Sequence, residues 1–153
     1  MAKKKQPQPK KIQNRRARFD YELGDDLVVG IALSGAETKA LRMGHGHLRG
    51  AFVTVKDNEL WLNNATIIGA NGVPIDESDQ TKPRKLLAKQ KEIQILSALK
   101  QQGQSIIPIE LLTGTRFIKV RISAGRGKKR YDKRQVIKQR DDSRNTAREI
   151  SRH

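Results

Sequence analysis

The stretch AFVTVKDNELWLNNATIIGA, residues 51–70, predicts an antiparallel β-hairpin. Residues 52–56 alternate between aliphatic side chains and side chains of other kinds, which is the two-residue period of a half-buried strand. KDNE, residues 56–59, supplies the turn, and LWL begins the return strand. A third strand is predicted over residues 65–68, so this region indicates a fold built around a small β-meander.

The flanking segments add strands and two helices to this meander. LVVGIALSG, residues 27–35, is rich in β-branched residues and predicts a buried strand, and residues 36–44 favour a helix that ends on glycine. The segment RKLLAKQKEIQILSALKQQG, residues 84–103, has the strongest helical pattern. Two more strands are predicted within residues 105–123, and Pro108 requires that the first is an edge strand or carries a bulge.

Five or six short strands with two helices are too few for two full sheets. They favour a mainly β fold, a closed or partly open barrel of the oligonucleotide-binding type with flanking α-helices. We expect three parts: a disordered basic arm at 1–12, a barrel body at 13–124 and a basic tail at 125–153. Four large side chains are predicted to lie in the core: Phe52, Trp61, Val120 and Ile122.

The charge is concentrated at the two ends of the chain. The net charge is +16, and residues 1–18 carry eight basic and no acidic residues. Residues 125–153 carry eleven basic and four acidic residues, whereas the part between is almost neutral. Basic arms on a globular body usually bind polyanions, above all nucleic acid. A membrane surface is the weaker alternative, because the tail lacks the large apolar face of membrane-lying helices.

Several classes of function are excluded or disfavoured. The sequence has no cysteine, so disulfides, cysteine zinc sites and thiol catalysis are excluded. No apolar run is long enough to cross a bilayer, and the N-terminus lacks the apolar stretch of a secretory signal, so a cytoplasmic location is expected. His45 and His47 have no third ligand in the sequence pattern, and no acids or serines form a catalytic pattern. We therefore expect no enzyme activity, cofactor or metal.

The tail segment GKKRYDKRQVIKQRDDSR, residues 127–144, has a helical composition but almost no apolar face. An isolated polar helix is marginal in water, so we expect this tail to become helical only on a partner. Tyr131 stands alone among basic residues and is free to stack on a base. Because the whole chain has few aromatic residues, recognition of a folded RNA by shape and backbone is favoured over recognition of many unstacked bases.

Five segments in this order resemble the SmpB family, small protein B, which binds transfer-messenger RNA (tmRNA). They are NRRARFDYEL, GIALSGAETKALRMG, AFVTVKDNELWLNNATI, KPRKLLAKQKEI and GRGKKRYDKRQVIKQRD, and they extend from about Asn14 to Asp141. The elements G-x-E-x-K-x-L-R and GKK-x-[HY]-DKR are the most specific. The chain departs from the family pattern at SDQTKPRKLL, where Asp79 is followed by glutamine instead of proline.

The resemblance implies a non-enzymatic monomer with an oligonucleotide-binding-type barrel. It implies binding to the tRNA-like domain of tmRNA, delivery with elongation factor Tu to stalled bacterial ribosomes, and a tail placed in the empty messenger channel near the decoding centre of the small-subunit rRNA. The implied RNA-binding residues of the body are Asn14, Arg15, Arg16, Glu37, Lys39, Arg42, Arg84, Lys85, Leu86 and Leu87. The implied ribosome-contacting residues of the tail are Gly127, Lys128, Lys129, Tyr131, Asp132, Lys133, Arg134, Lys138 and Arg140.

Two alternatives stay open at the level of sequence. Glu37 is an acid in an RNA-binding role, and a surface ion pair with Lys39 or Arg42 explains it equally well. A generic basic structural protein of the ribosome or nucleoid also fits the charge distribution.

Overall fold

The computed structural model describes residues 12–69, 72 and 74–152, which form nine strands, four α-helices and one short 3₁₀ turn. In chain order they are β1 (Ile12–Gln13), α1 (Ala17–Asp20), β2 (Tyr21–Ile31), α2 (Gly35–Arg42), β3 (Gly46–His47), β4 (Phe52–Lys56), β5 (Glu59–Asn63), β6 (Thr66–Ile67), the 3₁₀ turn Glu77–Asp79, β7 (Arg84–Leu87), α3 (Gln90–Gln101), β8 (Ser105–Leu112), β9 (Lys119–Gly127) and α4 (Arg130–Arg152).

Six of these strands close into an antiparallel barrel. The hydrogen-bonded order is β8-β4-β5-β7-β2-β9, and β9 pairs back to β8. The additional strand β1 pairs with the far end of β8, where Ile12 lies opposite Leu111. Closure removes free sheet edges, which would otherwise invite pairing with other chains. The predicted mainly β fold with flanking helices is confirmed.

The predicted hairpin forms β4 and β5. Its two turn residues, Asp57 and Asn58, have φ angles of 51° and 60°, the left-handed conformation that two-residue hairpin turns require and that Asp and Asn tolerate. The strand predicted at 65–68 is the short β6, which pairs with β3 in a separate small sheet. The helix predicted at 36–44 is α2.

The segment 84–87 was predicted as the start of a helix, and this prediction is wrong. It forms β7, which pairs with β5 on one side and with β2 on the other. The helix, α3, begins only at Gln90. Arg84 and Leu86 are buried on one face of β7, whereas Leu87 is exposed. The charged side chain at an inward position hides the strand alternation, because a buried arginine is not expected from sequence.

Two further predictions are settled by burial and register. Pro108 lies at a register shift between β8 and β9, so the predicted bulge is confirmed; β8 lies between β4 and β9 and is not an edge. Val120 and Ile122 lie in the core. Phe52 is 40% exposed, so its prediction as a core residue is wrong. It sits on the outer face of β4, opposite in phase to the buried Val53.

The boundary between body and tail differs from the prediction. β9 continues to Gly127, three residues beyond the predicted end of the body. Helix α4 then covers most of the predicted tail, although we expected no helix in the unbound chain. Its first turns are held to α1 by Lys133, whose Nζ lies 3.2 Å from the Asp20 carboxylate, and by Arg140, which lies over the Phe19 ring. These contacts hold the first turns of α4 against α1, which the sequence does not reveal.

The predicted disordered arm lies outside the described residues up to residue 11, and Ile12 belongs to β1.

The barrel depends on a close backbone approach at Gly125. A Cβ atom at this position would collide with the carbonyl group of Glu22 in β2, next to a bulge in the β2–β9 pairing. We therefore expect Gly125→Ala to lower the free energy of unfolding by about 1–3 kcal/mol or more. Urea denaturation followed by the single tryptophan, Trp61, measures it. Gly35→Ala is the control, since its added Cβ meets nothing within 4 Å; equal losses in both variants would contradict this assignment.

Candidate RNA interface

Glu37 is held in place by hydrogen bonds at the start of α2. Its backbone N–H donates to the Ser34 hydroxyl at 3.2 Å, and the Ser34 N–H donates to the Glu37 carboxylate at 3.1 Å. This reciprocal capping box satisfies two N–H groups that a helix start otherwise leaves free. Glu37 is thereby held with its side chain directed into the protein, where it is only 4% exposed.

Arg84 is the buried partner of Glu37. Its Nε donates to Glu37 in a short charge-assisted hydrogen bond. Its remaining N–H groups donate to four backbone carbonyls, those of Ala65, Asp79, Gln80 and Lys82, at 2.8–3.2 Å. One guanidinium group thus joins α2, β7, the residue before β6 and the loop that contains the 3₁₀ turn.

The environment of Glu37 favours its charged form. Burial alone would raise the pKa of this carboxyl, but hydrogen bonds from Arg84 and Ser34, together with the Arg84 charge, outweigh it and lower the pKa below its usual 4.5. A carboxylate and a guanidinium that are both buried are stable only because they neutralise each other.

These contacts revise the roles implied for the body residues on α2 and at the start of β7. The suggestion that Glu37 is a surface acid paired with Lys39 or Arg42 is wrong, since its ion-pair partners are Arg84 and, at 3.7 Å, Lys82. Arg42 donates instead to the carbonyls of Thr115 and Arg116. Lys39 is exposed. Direct RNA contact by Glu37 or Arg84 stays a prediction, and in this structure both side chains are buried.

Lys85 and Leu87 lie on the outer surface of β7, beside a cavity of about 580 Å³. Leu87 is 56% exposed, and Leu86 between them is buried. Lys85 bridges to Glu59 at 2.9 Å. Two further cations not singled out from the sequence, Lys89 and Lys119, line the same cavity. Two acids, Glu59 and Glu92, line it as well. Among the described residues Lys89 and Lys119 form no ion pair, so these two lysines are available to the phosphates of a nucleotide.

Asn14, Arg15 and Arg16 lie on another part of the barrel, around α1. The Asn14 backbone N–H and side-chain amide donate to the carbonyls of Ile109 and Pro108, at 2.7 Å and 3.1 Å. Arg15 and Arg16 are exposed. The predicted body residues therefore do not form one cluster: residues 85–87 line the β7 cavity, residues 14–16 lie beside α1, Lys39 and Arg42 lie on α2, and Glu37 and Arg84 are buried.

The tail residues begin at the end of β9. The Lys128 N–H donates to the Asp20 carbonyl at 2.8 Å, which fixes the chain as it leaves the barrel. Gly127 is in β9, Lys129 lies between the strand and α4, and Arg134, Lys138 and Arg140 are exposed on α4. The side chains of Tyr131 and Asp132 lie outside the described ones, so their predicted contacts are not tested.

Two further findings concern metal ligands and membrane spans in the described part of the chain. Within it, no group of three or more His, Asp or Glu side chains could hold a metal ion. No helix among the described residues is long and apolar enough to cross a membrane.

Comparison with known proteins agrees with this geometry. The family model described as SmpB protein matches residues 11–152. The chain belongs to the SmpB family. The SsrA-binding protein of Oleidesulfovibrio alaskensis is 42% identical over 142 residues, which are 92% of each chain. That of Coprothermobacter proteolyticus is 45% identical over 141 residues, 90% of this chain and 93% of the relative.

A solved structure agrees as well. A chain from work described as "tmRNA-SmpB: a journey to the center of the bacterial ribosome" aligns with a TM-score of 0.64 and 33% identity, over 83% of this chain and 94% of that chain. The resemblance found in the sequence is therefore confirmed at the level of the family.

Removing the Glu37 carboxylate should destabilise this SmpB protein strongly, because it leaves the Arg84 charge buried without a partner. We expect Glu37→Ala to cost about 3–5 kcal/mol of unfolding free energy. Urea denaturation measures it, with Glu77→Ala, an exposed acid of the neighbouring loop, as the control. A cost below that of the control would show that the pair does not hold the fold.

The same pair should contribute a pH-dependent part of stability. Because the folded-state pKa of Glu37 lies below 4.5, its contribution is present above about pH 4.5 and is lost as the pH falls through the lowered value. The stability difference between the wild type and Glu37→Gln should therefore shrink under acid conditions. Denaturation curves from pH 7 to pH 3 test this, and a difference that grows towards acid pH would contradict it.

Proposed function

We propose that this SmpB protein is a non-enzymatic adaptor that binds the tRNA-like domain of tmRNA and brings it to stalled bacterial ribosomes in trans-translation. The observation that carries the proposal is the family membership over residues 11–152, with relatives that are SsrA-binding proteins. The presence of both a compact barrel and a long basic helix supports it, since the adaptor must contact two RNA surfaces, the tRNA-like domain and the ribosome.

The barrel supplies the surface for the folded RNA. Two of its acids are taken up by internal ion pairs: Glu37 pairs with Arg84, and Glu110 pairs with Arg121. Exposed cations such as Lys39 and Lys89 are left to meet phosphates. Binding by a rigid, closed barrel favours recognition of RNA shape over the reading of a base sequence.

Helix α4 supplies the surface for the ribosome. Arg134, Lys138, Arg140 and Arg144 of this helix are exposed. A polyanionic channel of rRNA would neutralise these charges, with release of counterions. We infer that the helix occupies the messenger channel near the decoding centre only when no messenger fills it, so that discrimination is steric and electrostatic.

The remaining parts of the proposal concern partners and setting. Delivery would take place together with elongation factor Tu, with one copy of this chain per tmRNA, in the cytoplasm. The generic alternative, a basic structural protein of the ribosome or nucleoid, requires only charge and no defined tail sequence.

A scrambled tail separates the two functions. We expect a variant with residues 128–152 shuffled at fixed composition to bind the tRNA-like domain with wild-type affinity but to lose peptide tagging on stalled ribosomes. Filter binding and an in-vitro tagging assay measure the two activities. Retained tagging would favour the generic basic protein, and loss of both activities would place the primary RNA contact in the tail.

Tyr131 provides a finer test of the tail. If its ring stacks on an rRNA base, Tyr131→Ala should lower tagging by about five- to 100-fold, whereas Tyr131→Phe should not, because stacking contributes about 1–3 kcal/mol per base. Affinity for the isolated tRNA-like domain should be unchanged in both variants. Equal losses in the two assays would argue against a role confined to the ribosome.

A further inference from the structure

A second cavity of about 580 Å³ opens between α1, β4 and β8. Its floor includes Val53, Ile106 and Ile107, which are buried in the barrel wall. The ring of Phe52 stands at its side, 40% exposed on the outer face of β4. An aromatic residue at a mostly apolar cavity of this size is typical of a ligand site, since such sites measure about 300–1,000 Å³.

Three cations from separate parts of the chain surround this cavity: Arg16 just before α1, Arg49 before β4 and Lys100 near the end of α3. All three are exposed or partly exposed. Neither Arg49 nor Lys100 forms an ion pair within the described part of the chain. Cations that converge from different elements without an internal partner are available for an anionic ligand.

The one acid among the described lining residues is already neutralised. The Asp20 carboxylate lies 3.6 Å from the Arg16 Nε and 3.2 Å from the Lys133 Nζ. It therefore does not oppose a phosphate in the cavity, and the local charge stays positive. Asn14 also lines the cavity; its side-chain NH₂ donates to the Pro108 carbonyl, which leaves the side-chain Oδ1 to accept from a base or a 2′-hydroxyl.

From this geometry we propose that the cavity is an RNA subsite for one unstacked nucleotide. The base lies against the Phe52 ring, and Arg49 and Lys100 bind the phosphates on either side of it. Stacking on an aromatic face accepts any base, and the flanking cations hold the backbone. The proposal rests on the proposed function for the class of ligand, RNA, and adds the place and the chemistry of one contact.

The position of the cavity also relates it to the tail. Tyr21 lines one end, and its ring lies beside Gly127, the last residue of β9. RNA held in this subsite therefore passes next to the N-terminal end of α4. The subsite gives Phe52 and Arg49, neither of them singled out in the sequence as an RNA contact, a place in the interface.

Photo-crosslinking tests the proposal directly on the full-length protein. The probe is the tRNA-like domain of tmRNA transcribed with 4-thiouridine, with crosslinked peptides identified by mass spectrometry. We expect a crosslinked peptide that contains residues 49–54, and we expect its loss in Phe52→Leu but not in Phe52→Tyr. Crosslinks confined to α4 or to the β7 surface would overturn the subsite.

Binding measurements give an independent test with a matched control. Arg49→Gln/Lys100→Gln should lower the slope of log affinity against log salt by about 1.4, the value for two lost single-strand phosphate contacts. Lys56→Gln/Lys91→Gln removes the same charge from positions that do not line the cavity, and its slope should change less. Equal slopes in the two double variants would overturn the proposal.

The same titrations distinguish the subsite from the proposed function. Phe52→Leu should weaken binding by about five- to 100-fold, with Phe52→Tyr restoring it. If the wild-type protein binds the RNA no better than an unrelated RNA of equal length, the proposed function fails. If it binds specifically but Phe52→Leu binds equally well, only the subsite fails. Trp61 fluorescence confirms that each variant is folded.

Discussion

The buried pair of Glu37 and Arg84 is the interaction on which the arrangement of α2, β7 and the loop before β7 depends. Arg84 has its charge matched by one carboxylate and its other N–H groups satisfied by four backbone carbonyls. A buried charge that is so completely satisfied holds several chain segments in one arrangement. Lys85 on β7 directly follows Arg84, and Lys39 on α2 follows Glu37 by two residues. The pair therefore also fixes the positions of these two surface lysines.

The structure also changes the meaning of a family motif. An acid at Glu37 is hard to reconcile with direct contact to a polyanion, whereas its burial against an arginine explains the residue type without any contact to RNA. Its neighbours in the motif, Lys39 and Arg42, lie at the surface and carry the charge. The motif thus combines Glu37, which fixes the start of α2, with Lys39 and Arg42, which α2 exposes at the surface.

How far the sequence predicts the fold depends on which interactions set each element. The β4–β5 hairpin was predictable because its turn residues and its alternation are local signals. The strand at 84–87 was not predictable, because the burial of Arg84 is stabilised by Glu37, which lies far away in the chain. Phe52 was misplaced for a related reason: the phase of an alternating strand shows which residues share a face, but not which face is buried. The docking of α4 depends on Asp20 and Phe19, more than a hundred residues earlier.

The short connection between β9 and α4 has a mechanical consequence. Only Lys128 and Lys129 separate the last residue of the strand from the first of the helix, and the Lys128 N–H is itself hydrogen-bonded to Asp20, the last residue of α1. At about 1.5 Å per residue, the 23-residue helix is about 35 Å long. Because this connection is short and anchored, the orientation of the barrel determines the position of the C-terminal end of α4, about 35 Å away.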